Sequence, residues 1–145
     1  MTEQRKQQYD KIYMNMAKEL ASLSYALRSK VGCIIVSKEG QIISQGYNGT
    51  PSGRDNCCEY TDMDGEFVSK REVLHAESNA IIKCARWAAS TNGATLYVTL
   101  SPCFDCAKMI VQAGIERVVY HEEYRNTEGL DLLKECGVQV DHMKY

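Results

Sequence analysis

The stretch Ala94-Thr95-Leu96-Tyr97-Val98-Thr99-Leu100-Ser101-Pro102-Cys103-Phe104-Asp105-Cys106 decides the fold. Residues 94–100 are apolar or β-branched throughout, the texture of a buried strand. Ser101-Pro102 then reads as a helix start, with Ser at the N-cap and Pro at the first helical position. That helix is expected to run to about Ala113, where Gly114 stops it.

The same alternation continues toward the C-terminus. Residues 116–120 read as a strand, 127–136 as a helix closed by Gly137, and 138–141 as a last strand. On the N-terminal side, residues 75–89 have helical texture, with Ala76, Ala80, Ile81, Cys84 and Ala88 as an apolar stripe. Residues 48–70 are rich in Gly, Asn, Asp and Ser and contain Pro51, which reads as one long loop of the kind that usually carries function. Residues 31–36 and 41–46 flank a Gly-containing turn, the pattern of a hairpin. Residues 3–27 read as an amphipathic helix with Ile12, Met16, Leu20, Leu23 and Leu27 on its buried stripe.

The order is α-β-β-α-β-α-β-α-β. Strands alternating with helices imply parallel pairing through right-handed crossovers. The expected fold is α/β, a three-layer αβα sandwich on a mixed five-stranded sheet whose antiparallel edge comes from the hairpin. With no repeat or linker, residues 1–145 are expected to form a single domain.

Of the 145 residues 44% are hydrophobic and 25% charged, and the formal net charge is −2. A protein that grips a long polyanion shows a basic face, so a nucleic acid polymer is not the expected partner. A mononucleotide stays open, because one phosphate needs only one or two cations and a few backbone N–H groups. No apolar run approaches the ~20 residues of a membrane span, and the polar N-terminus leads into no signal segment. A cytoplasmic location is therefore expected (host cytoplasm for a viral chain). Seven cysteines, odd in number and irregular in spacing, suit metal binding and buried thiols better than disulfides. Cys33, Cys84 and Cys136 sit in apolar patterns and are expected to be buried. His75, His121 and His142 are the three imidazoles available.

Two short motifs carry the chemistry. His75-Ala76-Glu77 opens one helix, and Pro102-Cys103-Phe104-Asp105-Cys106 opens another. Thiolates three residues apart at a helix start share a face, and the helix end lowers their pKa values. His75, Cys103 and Cys106 make three ligands, which leaves a tetrahedral Zn2+ one position for water, the mark of a catalytic rather than a structural site. Such water is acidic near pH 7. Glu77 is close to that metal without coordinating it, and is expected to move protons. A Cys-x-x-Cys pair alone also fits a structural zinc half-site or a redox pair. No second redox motif accompanies this one.

His-x-Glu followed by Pro-Cys-x-x-Cys is the signature of the zinc deaminases. At these residues the chain resembles the cytidine deaminase superfamily, and within it the deoxycytidylate deaminases. The likeness runs from about Ala26 to Val140. Three segments carry it: Val31–Val36 leading through Ile42-Ile43-Ser44 to Gly46-Tyr47-Asn48-Gly49-Thr50-Pro51-Ser52-Gly53, then His75–Ile81, then Leu96–Cys103 with Cys106-Ala107-Lys108 and Gln112–Ile115. The resemblance implies hydrolysis of dCMP to dUMP and ammonia, supplying dUMP for dTMP synthesis. It implies that Asn48 bonds the deoxyribose, that the Ala76 backbone and Ser101 read the cytosine edge, and that Tyr124 lies beside the base. Arg125 and Lys30 are implied phosphate contacts, and Asn79 a contact to the loop or the phosphate. It further implies a homo-hexamer activated by dCTP with Mg2+ and inhibited by dTTP, with Gly46, Tyr47, Asn48 and Gly49 at the effector site. Relatives with a second, structural zinc use cysteines after that loop and histidines beyond it. Here Cys57 and Cys58 are present, but residues 59–74 contain no His. The alternatives are another cytosine substrate (dCTP, cytidine) or a non-catalytic zinc-stabilised binding module.

Overall fold

The computed structural model describes residues 1–144. In chain order the elements are α1 (Glu3–Ala21), β1 (Gly32–Val36), β2 (Ile42–Tyr47), β3 (Glu59–Thr61), β4 (Phe67–Ser69), α2 (Ala76–Arg86), β5 (Thr95–Leu100), α3 (Phe104–Gln112), β6 (Arg117–Glu122), α4 (Glu128–Glu135) and β7 (Gln139–His142).

The main sheet has the order β2-β1-β5-β6-β7. β1 pairs antiparallel with both β2 and β5, while β5-β6 and β6-β7 are parallel. This is the mixed five-stranded sheet expected from the alternation. All five β1 residues are buried. Cys33 and Ile35 face a core built with Ala80 of α2, Ala107 and Ile110 of α3, and Leu133 of α4. Ile34 and Val36 face the opposite core, with Tyr13, Met14 and Ala17 of α1. Helices therefore cover both faces, three on one side and α1 on the other.

The first helix departs from expectation. It ends at Ala21, not residue 27, and buries Asp10, Tyr13, Met14, Ala17 and Ala21. Ile12, Met16, Leu23 and Leu27 are exposed, and Leu20 is only half-buried. The cause is a narrow seam: a Cβ on Gly32 would clash with the main chain of Ala17 and Ala21, so α1 meets β1 at that point on alanines. The helix stops where the Ser22 hydroxyl donates to Glu19 O at 2.6 Å, a local bond that competes with the helical ladder.

The 48–70 loop contains a two-stranded hairpin, β3 with β4. Its turn is an Asx type: Asp62 Oδ1 accepts from the N–H groups of Asp64 and Glu66. Two three-residue strands with mostly exposed side chains carry no alternation to read. The helix expected over 75–89 stops at Arg86, and Ala88 takes a left-handed φ of 58°. Cys33 and Cys84 are buried as expected, but Cys136, at the end of α4, is exposed.

A polar network crosses from α1 to the sheet. Arg117 donates to both Asp10 oxygens at 2.9 and 2.7 Å and to Asp141 at 2.7 Å, and the Tyr97 hydroxyl donates to Asp10 at 2.6 Å. Burial alone would raise the Asp10 carboxyl. The bonds from Arg117 and Tyr97 outweigh it and hold the group below its ordinary value.

Candidate metal centre and active site

Two helix starts meet at the C-terminal end of β5. Cys103 is the N-cap of α3, and its sulfur accepts the Cys106 N–H at 3.5 Å. The expected cap, Ser101, lies before the helix and does other work: its hydroxyl accepts the Tyr124 N–H at 2.7 Å, tying the 123–127 loop to the site. The turn at Pro102 and Cys103 is held from outside by α4, where a Cβ on Gly129 would fall 2.2 Å from Pro102 O. His75 is the N-cap of α2. The residue before it, Leu74, exchanges two backbone bonds with Gly49, so the loop after β2 fixes where His75 begins its helix.

His75 Nδ1 lies 3.4 Å from Cys103 Sγ and 3.3 Å from Cys106 Sγ. Tetrahedral zinc, with Zn–S about 2.3 Å and Zn–N about 2.0 Å, separates such donors by roughly 3.5 Å. The three donors therefore fit the ion with little movement. Among the described residues this is the one group of three such side chains within 4.8 Å of one another. Cys57 and Cys58 join no such group.

The Cys103 thiol is drawn down to about 4 by its contact with the Cys106 side chain and then by His75. The same contact, together with burial, raises Cys106. The crowding of the two sulfurs couples their titrations. The His75 imidazole is raised, chiefly by the Cys103 sulfur. Glu77 is only 4% exposed, and burial pushes its carboxyl up to about 7.

A cleft of about 360 Å³ opens on these groups. His75, Ala76, Glu77, Ser101, Cys103 and Tyr124 line it. Asn48 lines it too, but its amide is engaged: Oδ1 accepts from Val31 N at 2.9 Å and Nδ2 donates to Ser29 O at 2.8 Å. The structure does not bring Lys30 and Arg125 to the lining; both side chains are exposed elsewhere. The cations that do line the cleft are Arg28, Lys70 and Arg71. No local pattern distinguished them from solvated charges, because they come together only when β4 folds against the 22–31 segment.

Asn79 donates to Tyr47 O and lines a separate cleft of about 210 Å³ with Tyr47, Asn48 and Gly49. Gly46 lines neither cleft. It is packed under α2, where a Cβ would lie 2.6 Å from Ala76 O, so its role is close strand-to-helix contact.

Fold and donors together define a layered α/β protein with a three-donor His/Cys/Cys metal site. Residues 7–122 match the model of the cytidine and deoxycytidylate deaminase zinc-binding region, and the chain belongs to that family. It is 40% identical to the deoxycytidylate deaminase of Enterobacteria phage T4, over 77% of each chain. It is 37% identical to the deoxycytidylate deaminase of Saccharomyces cerevisiae, over 94% of this chain and 45% of that one. The solved dCMP deaminase of cyanophage S-TIM5, in complex with dCMP and dUMP, superposes with a TM-score of 0.87 at 45% identity, covering 99% of both chains.

Proposed function

We propose that the chain hydrolyses dCMP to dUMP and ammonia, with residues 1–145 acting as one deaminase domain. The observation that carries this is the buried Glu77 carboxyl standing in one cleft with His75 and Cys103, two of the three clustered metal donors. His75, Cys103 and Cys106 would hold the zinc, which would supply Lewis acidity to the attacking water. Glu77 takes a proton from the water that adds at C4 and delivers it to ring N3. It then carries the proton of the new C4 hydroxyl to the amine as the C4–N bond breaks, so that water and dCMP leave as dUMP and ammonia. A carboxyl near neutrality suits a group that must both take and give a proton.

The Ala76 backbone and Ser101 read the cytosine edge, and Tyr124 closes over the base. Asn48 serves the sugar end by fixing Ser29 and Val31. Arg28, Lys70 and Arg71 receive the phosphate in place of Lys30 and Arg125. The resemblance further supports a cytoplasmic hexamer activated by dCTP with Mg2+ and inhibited by dTTP, its effector cleft formed at Tyr47, Asn48 and Gly49. Among the described residues, no helix is long and apolar enough to cross a membrane.

The test is ammonia release from dCMP, dCTP, cytidine and CMP by the intact chain and by Glu77→Gln. The variant is expected to keep its zinc and to lose turnover of dCMP by about a thousandfold, within the range for general acid–base groups. A variant that deaminates normally would leave the module without a chemical role for Glu77 and favour a zinc-stabilised binding protein.

A further inference from the structure

We infer that Glu59 is a positioning residue: it holds Arg28 at the substrate cleft and so gives the site its preference for a phosphorylated nucleotide, an inference that rests on the function proposed above. Glu59 opens β3 and is only 6% exposed, yet it is a carboxylate outside the metal site. Its Oε2 accepts two successive backbone N–H groups, Leu27 at 2.7 Å and Arg28 at 3.0 Å. Taking a carboxylate out of water is costly unless donors replace the water, and here the donors belong to the backbone of the cleft-lining segment itself.

The opposite strand completes the grip. Glu59 and Ser69 are register partners across the β3–β4 hairpin. Arg28 Nη1 donates to Ser69 Oγ at 3.3 Å. One pair of facing residues therefore holds Arg28 at both ends, Glu59 at its main chain and Ser69 at its guanidinium. Lys70 and Arg71, which also line the cleft, continue directly from Ser69. The segment held in this way, residues 22–31, has no helix or strand to fix it. A guanidinium on such a segment pays the entropy of ordering at each binding event unless its backbone is already held. A fixed Arg28 can meet a phosphate through two parallel N–H bonds. A nucleoside lacks that phosphate and gains nothing from the device.

The experiment compares binding of dUMP and deoxyuridine to zinc-loaded protein by calorimetry, with kcat and KM for dCMP alongside. Glu59→Ala and Arg28→Gln are each expected to weaken dUMP about tenfold or more, the scale of a charged hydrogen bond. For Glu59→Ala, deoxyuridine affinity and kcat should be unchanged, with the loss in KM. Glu59→Gln, whose carbonyl oxygen still accepts both N–H groups, should recover most of the affinity. The double variant Glu59→Ala/Arg28→Gln should lose no more than Arg28→Gln alone. Should Glu59→Ala fail to fold, Glu59→Asp, which keeps the charge on a shorter arm, must still weaken dUMP selectively. Equal loss for dUMP and deoxyuridine, or no loss for either, overturns the role of Glu59. Failure of the unaltered chain to release ammonia from dCMP overturns the proposed function instead.

Discussion

The Cys103 sulfur caps the helix that carries Cys106, accepting the Cys106 N–H at 3.5 Å. One atom thus ends a strand connection, starts α3 and offers a metal ligand. Capping and ligation ask for different chemistry, so they can be separated.

Serine caps helices better than cysteine does, but is a poor zinc ligand. Cys103→Ser is therefore expected to purify with less than about a tenth of the parent's zinc, since one of three protein ligands is gone. Its metal-free form should melt at or above the temperature of the metal-free parent. Metal analysis and melting curves with and without a chelator read both. Full zinc occupancy in the variant would mean that Cys103 is a cap and not a ligand.

Gly129 is placed for contact rather than for helix propensity. In an exposed helix, alanine for glycine gains up to about 1 kcal/mol. Here the new Cβ would meet Pro102 O at 2.2 Å and Cys103 carbonyl atoms at 2.8 Å, all main chain that cannot swing aside. The overlap wins, and Gly129→Ala should cost about 2 kcal/mol. Zinc affinity should fall with it, because the displaced turn is the one bearing Cys103. Urea unfolding at saturating zinc and in chelator separates the two effects. A stabilised variant would contradict the close approach of α4.

Asp10 links stability to acid. Its carboxyl is held below the ordinary range, so its contribution is complete above the unfolded value, near pH 4, and disappears as pH falls through the lower folded value. Asp10→Asn leaves Arg117 with a poorer partner in a site where the two side chains are 9% and 13% exposed. It should cost about 3 kcal/mol at pH 7, the scale of a broken buried pair. The gap between parent and variant should hold down to about pH 5 and narrow below pH 4. A gap that widens in acid would reverse the assignment.

The metal donors and Glu77 were legible because spacing alone places them: two residues between cysteines, one between histidine and glutamate, each motif at a helix start. The sheet was legible because buried strands such as β1 and β5 are apolar on both faces. The buried side of α1 was not. Ile12 and Met16 point outward while Tyr13 and Met14 are buried, and the seam against Gly32 selects Ala17 and Ala21, a choice made by the partner strand. The cap of α3 was misread by two residues because Ser101 is spent on the Tyr124 N–H. Arg28, Lys70 and Arg71 were invisible because their meeting depends on a hairpin too short and too polar to announce itself.

Asp10 and Arg117 are 107 positions apart in the chain, yet they form the one bidentate link between α1 and the sheet described above. The ribosome adds about 5–20 residues per second, so Asp10 waits several seconds for its partner. Through that interval Tyr13 and Met14 can already pack against Ile34 and Val36 of β1, but Asp10 lacks its guanidinium. Nascent chains halted before Arg117 should lose α1 to a protease and keep it once β6 has emerged. Asp10 and Arg117 thus join late what the sequence keeps far apart.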